Sequence, residues 1–369
     1  MTTILIYSLV AFIISMVSGF LLIPVIMNFC KRKRLYDIPN ERKVHKNAIP
    51  RLGGISFMPS MVLAFFLALL VMEHNEGRPA IHISLWACCF LIGLIMIYTI
   101  GIIDDLVGLS ARTKFIVQII AATMLPLSGL YINQLYGFLG ISDIPFWVGA
   151  CLTVFLIVFI DNAINLIDGI DGLAAGLSFL ALGGFLACFI QYGLLSYCIL
   201  IAGLMGVLMP YLYFNICGNP DKNRKIFMGD SGSLTLGFIL GMLFVKYAMN
   251  NPAVMEFRRD GLMLSITMLL VPMFDVVRIV LVRFFHHRPL FLADKNHLHH
   301  KWMRAGFGQH ATLFIILLTA VFFGFINILM VRYMDISLTY SLTIDIALYV
   351  IYNQLLDAYI KSRGEKPFV

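Results

Sequence analysis

Charged residues are scarce in this sequence. They make up 13% of its 369 positions, against 60% hydrophobic residues, whereas soluble domains run at about a quarter charged and roughly half apolar. With a mean hydropathy of +0.90, a soluble globular domain is excluded and an integral membrane protein is expected. Cysteine pairs are missing too. The seven cysteines form no CxxC motif, which removes zinc ribbons and redox dithiols. Cys88, Cys89, Cys151, Cys188 and Cys198 fall in apolar runs and read as small buried hydrophobes. No repeat period, low-complexity tract or pair of matching inverted halves is found, which counts against the repeat-built transporter folds. No glycine-rich run ends in GK[ST], so there is no P-loop. "DGIDG" at 168–172 lacks the twelve-residue frame and closing Glu of a calcium loop.

What the chain has is apolar length. A helix needs about 20 apolar residues to cross the hydrocarbon. Such runs cover roughly 4–29, 54–72, 83–103, 115–131, 146–164, 174–191, 195–214, 232–249, 261–283, 310–331 and 338–358, eleven in all. The predicted fold is all-α: a polytopic membrane helix bundle of about eleven transmembrane helices, forming one domain over residues 1–369. The first run is too long for a signal peptide and is kept as a span. Loop charge is one-sided. Residues 30–54 hold eight Lys and Arg, and the other loops of that side with the C-terminal tail bring the count to 21. The opposite loops hold five: Arg78, Lys246, Arg258, Arg259 and Arg332. Lys and Arg favour the cytoplasmic side, which puts the N-terminus outside and the C-terminus inside. The same bias accounts for the net charge of +7, so nucleic acid is not an expected partner.

The chemically rich loops all fall on the basic face. Asp104 and Asp105 end the third run, at the negative pole of a helix dipole. Two carboxylates there repel each other, and one tends to take up a proton unless a metal ion or a base such as Lys114 stands nearby. In "DNAINLIDGIDG", Asp161, Asn165 and Asp168 share one helix face at i, i+4 and i+7. Asp171 has two readings, a cap for the sixth span or a ligand contact. Asp230 opens "DSGSL", where a carboxylate, hydroxyls and free backbone N–H groups meet. It serves there as a helix cap or as a cation ligand beside an anion site. Oxygen donors without cysteine point to Mg²⁺ or Mn²⁺. His297, His299 and His300 sit among Lys295, Lys301 and Arg304. They suit a phosphate-gripping loop better than a zinc site, and Arg288 serves the same purpose. Asp275 and Arg278, inside the ninth span, are expected to pair with each other as support for the site. Acids, an oxygen-loving metal and cations together suit phosphoryl chemistry. A transporter remains the rival class, set apart by binding near the midplane.

Five segments occur in order: VHKNAIPRLGG at 44–54, GIIDDLVGL at 101–109 with Lys114, NAINLIDGIDGLAAG at 162–176, FMGDSGSLTLGF at 227–238 and KNHLHH at 295–300. Together they resemble the polyprenyl-phosphate N-acetylhexosamine-1-phosphate transferases over nearly the whole chain. The likeness is greatest to the bacterial members that use undecaprenyl phosphate and UDP-N-acetylglucosamine. The muramoyl-pentapeptide branch carries a three-histidine run followed by an acid, and HLHHKW here argues against that substrate. The resemblance implies a reaction at the bacterial inner membrane, facing the cytoplasm, that yields a lipid-diphosphate-linked sugar and UMP. It implies Asp104, Asp105, Asp168 and Lys114 as catalytic, and Asp230 with Asn165 as metal ligands. Asp171 falls where the uracil is contacted, and His45, Lys46, Asn162, Asn165 and Phe227 among the substrate contacts. Arg288, Lys295, His297, His299 and His300 belong to the sugar-phosphate loop. Mg²⁺ is the implied cofactor, with Mn²⁺ as the alternative. Undecaprenyl phosphate, UDP-N-acetylglucosamine and the bilayer are the implied partners, and a homodimer is left open.

Overall fold

A computed structural model describes residues 1–37, 48–77, 84–220, 222, 224–285, 287 and 295–367. Among these, thirteen α-helices account for most of the chain: α1 (Thr2–Lys33), α2 (Phe57–Glu76), α3 (Leu85–Val107), α4 (Ala111–Leu127), α5 (Phe146–Ile167), α6 (Leu173–Gln191), α7 (Leu195–Ile216), α8 (Gly229–Ala248), α9 (Gly261–Met268), α10 (Leu270–Phe285), α11 (Leu298–Arg304), α12 (Gln309–Ile328) and α13 (Leu338–Ser362). Local chemistry sets several of their ends. Ser84 Oγ accepts the Ala87 N–H at 3.4 Å and Ser110 Oγ the Thr113 N–H at 3.2 Å, so α3 and α4 both begin on serine caps. Lys31, Arg32 and Lys33 fill the last turn of α1, where the dipole favours cations.

Eight helical segments are long and apolar enough to cross a membrane, and nine if α9 and α10, bent by 75°, make one span. This is a multi-pass membrane protein. Two of the eleven predicted runs fall short of that test. Helix α4 has only 17 residues and opens on ARTK, so its apolar part is too short by itself. Helix α13 is 25 residues long but carries Asp345, Asn353 and Asp357. The predicted break between the sixth and seventh runs is real, because α6 stops at Gln191 and α7 starts at Leu195.

Helix α8 is the centre of the bundle. Every residue from Ser231 to Ala248 is buried. Helix α1 instead turns Leu5, Leu9, Ile13 and Val17 outward, an apolar surface matched to lipid. Lipid tails are as apolar as leucine, so close packing rather than water exclusion must hold such helices together. Small residues supply that closeness. A Cβ added to Gly101 of α3 would stand 2.5 Å from Ser231 Cα of α8, so only glycine permits this approach. It brings the acidic end of α3 against the start of α8. Phe90 and Phe238 stack between the same two helices, centroids 6.0 Å apart.

The cysteine expectation needs correcting. Cys188 and Cys198 are buried, but Cys88 and Cys151 are exposed and Cys89 is half-buried. Helices apolar on every face give no sequence sign of which side meets lipid.

The two ends of the bundle differ. At one, β1 (Tyr36–Asp37) pairs antiparallel with β2 (Ile49–Pro50). The Phe227 N–H donates to the Pro50 carbonyl at 2.7 Å, and the Gly53 and Gly54 N–H groups donate to the Phe227 and Met228 carbonyls. This stitch ties the α1–α2 connection to the entry of α8. At the other end lies a small hairpin of β3 (Gln134–Phe138) and β4 (Ile141–Asp143), with the Tyr136 hydroxyl donating to the Ala248 carbonyl at 2.7 Å.

Candidate active site

The last turn of α3 and the first turn of α8 carry the acids, and they relieve their charge in different ways. Asp105 is 4% exposed. Its two oxygens accept the backbone N–H groups of Asp230 at 2.8 Å and Ser231 at 2.9 Å. Helix α8 has no side-chain cap of its own. Asp105, arriving from another helix, takes two of its orphan donors. Asp104 turns the other way. Its Oδ1 accepts the Leu109 N–H at 2.6 Å, closing the α3–α4 turn. Its Oδ2 accepts from Lys114 Nζ at 3.2 Å.

Lys114 links this turn to α8, because its Nζ lies 2.6 Å from Asp230 Oδ2. Asp230 Oδ1 accepts from Asn165 Nδ2 at 3.2 Å, and Asn165 also donates to Ser233 Oγ at 2.8 Å. Asp104, Lys114, Asp230 and Asn165 are thus one connected network drawn from α3, α4, α5 and α8. Asn165 gives its nitrogen to Asp230, an arrangement that steadies the acid rather than adding a second oxygen beside it. Asn162 is drawn away from this network. Its amide donates to Gln118 Oε1 at 3.0 Å and the Val158 carbonyl at 2.7 Å. Gln118 in turn donates to the buried Asp161 at 2.9 Å.

The loop after α5 brings two more acids. Asp168 is half-buried just beyond the helix end. Burial, then the Asp230, Asp171 and Asp105 carboxylates, raises its pKa from 3.8 to about 7. Asp171 does not cap α6, whose N-cap is Gly172 without a side-chain bond. It pairs with Lys225 Nζ at 2.6 Å. The Gly172 N–H donates instead to Asn215 Oδ1 at 2.6 Å.

The histidine segment packs against this loop. A Cβ on Gly169 would run into His299 Nε2, so the ring rests directly on the glycine. His299 is 1% exposed, and among the described residues neither ring nitrogen has a hydrogen-bond partner. Burial first, then the neighbouring His300 and His297, holds its pKa well below the ordinary histidine range, so it is neutral. His297 Nδ1 lies 2.8 Å from Asp275, and Asp275 also accepts from Arg278 Nη2 at 2.8 Å, the pairing expected from their spacing. His300 lines a cavity of about 260 Å³ with Lys295, Met303 and Arg304. Phe227 is half-buried beside the entry of α8, its backbone engaged in the stitch from the α1–α2 connection. His45, Lys46 and Arg288 lie outside the described residues.

Sequence reasoning gave Lys225, Gln118 and Asn215 no part in the site, and it named Ser233 only among the hydroxyls of DSGSL. Ser233 had a signal, lying three residues after Asp230 on a helix. The other three reach Asp161, Gly172 and Asp171, each more than 40 positions away, and nothing local announces those contacts.

Among the described residues no three His, Cys, Asp or Glu side chains converge as a metal cage. Lys114 stands where Asp104 and Asp230 face each other. The donor set still fits a magnesium ion, which typically takes one or two carboxylates and completes its shell with water and substrate phosphates. Chemically, the arrangement gathers acids, one ammonium and a basic rim at one end of the bundle, which suits charge handling at a diphosphate.

This is a membrane-embedded enzyme of the transferase class. Residues 86–248 match glycosyl transferase family 4. A Bacillus subtilis (strain 168) protein named "Probable undecaprenyl-phosphate N-acetylglucosaminyl 1-phosphate transferase" is 30% identical over 85% of this chain and 82% of its own. The undecaprenyl-phosphate alpha-N-acetylglucosaminyl 1-phosphate transferase of Yersinia pestis is 29% identical over 80% of this chain and 76% of its own. The decaprenyl-phosphate N-acetylglucosaminephosphotransferase of Mycobacterium leprae (strain TN) is 32% identical over 76% and 73%. The chain belongs to glycosyl transferase family 4, among its polyprenyl-phosphate N-acetylglucosamine-1-phosphate transferases.

Proposed function

We propose that this protein transfers N-acetylglucosamine 1-phosphate from UDP-N-acetylglucosamine to undecaprenyl phosphate at the cytoplasmic face of a bacterial inner membrane. UMP leaves, and undecaprenyl-diphospho-N-acetylglucosamine begins a cell-envelope polysaccharide such as O-antigen or a teichoic acid linkage unit. The observation that carries this reading is the single ammonium of Lys114 shared by Asp104 and Asp230, at the end of the bundle where the Asp168 loop meets the histidine loop. The bias of 21 basic residues to five supports the cytoplasm on that side. It also supports α4 and α13 as the fourth and eleventh spans, with the N-terminus outside.

The lipid phosphate is mostly dianionic at neutral pH, since its second pKa is near 6. It attacks the sugar-bearing β-phosphorus directly, the bond from that phosphorus to the bridging oxygen breaks, and UMP departs with that oxygen. Asp104 orients the attacking phosphate and takes the proton of the fraction that arrives protonated. Lys114 offsets charge as the two polyanions meet. Asp171 and Lys225 hold the nucleotide end, and Lys295, His300 and Arg304 face the sugar phosphate. Asp230, with Asp104 across Lys114, is the place for Mg²⁺ or Mn²⁺, which when bound neutralises diphosphate charge.

The test is UMP release from purified protein given undecaprenyl phosphate, Mg²⁺ and a panel of UDP-N-acetylhexosamines, with mass spectrometry of the lipid product. UDP-N-acetylglucosamine should be the best donor. Absence of UMP release with every donor sinks the activity, and preference for another sugar corrects the substrate. A phospho-sugar adduct on an aspartate, trapped without lipid, overturns direct attack.

A further inference from the structure

We infer that Asp275 is the positioning residue of the histidine loop, and that His297 serves Asp275 rather than the donor substrate. Asp275 is fully buried in α10, where an unmatched carboxylate is costly. Both of its oxygens are used. Oδ1 accepts from Arg278 Nη2 at 2.8 Å and from the Leu298 N–H at 3.0 Å, while Oδ2 faces His297 Nδ1 at 2.8 Å. A carboxylate only accepts, so Nδ1 carries the proton of that bond. Arg278 Nη2 also donates to the Asn296 carbonyl at 2.5 Å. One acid and its neighbour therefore fix three consecutive residues, Asn296 to Leu298, to a membrane helix.

The far end of α11 is fixed independently. Lys301 Nζ pairs with Asp357 at 2.7 Å and donates to Asn353 Oδ1 at 3.1 Å. The His297 and His299 rings stack with 6° between their planes, and His299 abuts Gly169 of the acidic loop. The three histidines thus divide their work. His297 is a strut, His299 is a wedge between two loops, and His300 lines the cavity with Lys295 and Arg304. What that cavity binds rests on the proposed function; the anchoring by Asp275 does not.

Three variants test it. An asparagine side chain reaches the place of Nδ1, and a glutamine reaches that of Nε2. H297N should therefore keep at least about tenfold more kcat/KM than H297Q. D275N should raise KM for UDP-N-acetylglucosamine by on the order of ten- to a hundredfold, with kcat changed by less than about threefold. The opposite order of the two His297 variants, or an unchanged KM in D275N, overturns the inference. A substrate-free arm is trypsin cleavage after Lys295, Lys301 and Arg304 in detergent. D275N and H297Q should be cut faster than the parent and H297N, and equal rates overturn the anchoring. If the parent releases no UMP yet the cleavage order holds, the proposed function falls and the anchoring stands.

Discussion

The carboxylate of Asp105 caps the helix that carries Asp230, accepting the Asp230 backbone N–H at 2.8 Å across 125 positions of sequence. The adjacent Asp104 faces Lys114 instead. Two neighbouring acids therefore have separable jobs. D105A should lose two charge-assisted hydrogen bonds and destabilise the fold by about 1–3 kcal/mol. D104N should leave stability nearly unchanged and lower kcat. Thermal unfolding in detergent, measured alongside UMP release, checks both, and equal melting losses in the two variants would refute the division.

Lys114 is the shared cation of Asp104 and Asp230. Replacing it by methionine leaves two carboxylates facing each other with no ammonium between them. K114M should lose roughly 10²–10³ in kcat while binding Mg²⁺ more tightly without substrate, because the ion no longer competes with a fixed charge. Calorimetric titration with MgCl₂ reads the second effect. Weaker Mg²⁺ binding in K114M would contradict it.

Gly169 carries the contact between the acidic loop and His299. A methyl group there has nowhere to go unless the buried ring moves. G169A should cost about 1–3 kcal/mol through overpacking and raise KM for the nucleotide sugar. G169A/H299A should recover part of the lost stability, since the obstructing ring is gone. A double-mutant cycle on melting temperature reads this coupling, and additive losses would refute it.

Asp168 gives a pH dependence with a definite sign. Its folded pKa is raised from 3.8 to about 7, so between these values the folded protein holds a proton that the unfolded chain has released. Stability of the metal-free protein should therefore fall as pH rises through that window. D168N should flatten the dependence. Melting temperatures from pH 5 to pH 8 with a chelator present check it, and a rise with pH in the parent, lost in D168N, would reverse the assignment.

Much of the candidate site was legible in the sequence. The five ordered segments meet at one end of the bundle, apart from the stretches outside the described residues, and Lys114 relieves Asp104, one of the two remedies the charge argument left open. The spacing of Asp275 and Arg278 foretold their ion pair. Helix periodicity gives faces but not partners. It could not show Asp105 reaching the backbone of Ser231, Lys225 reaching Asp171, or Gln118 turning Asn162 away from Asp230. It also could not separate lipid-facing from buried cysteines, because both kinds of surface are apolar. The helix count diverged for a related reason: α4 is short and α13 carries polar residues, so neither is long and apolar enough by itself to count as a span.

Because α8 is enclosed from Ser231 to Ala248, acyl chains meet only the surrounding helices. Changes in bilayer thickness or fluidity act first on that outer ring, through the tilt of helices such as α1 and α12. Asp230, mounted on the enclosed column and capped by Asp105, stays at a height set by protein packing. In the proposed reaction the acceptor's phosphate comes to that height, which would make the depth of the reacting group a property of the chain and not of the membrane that houses it.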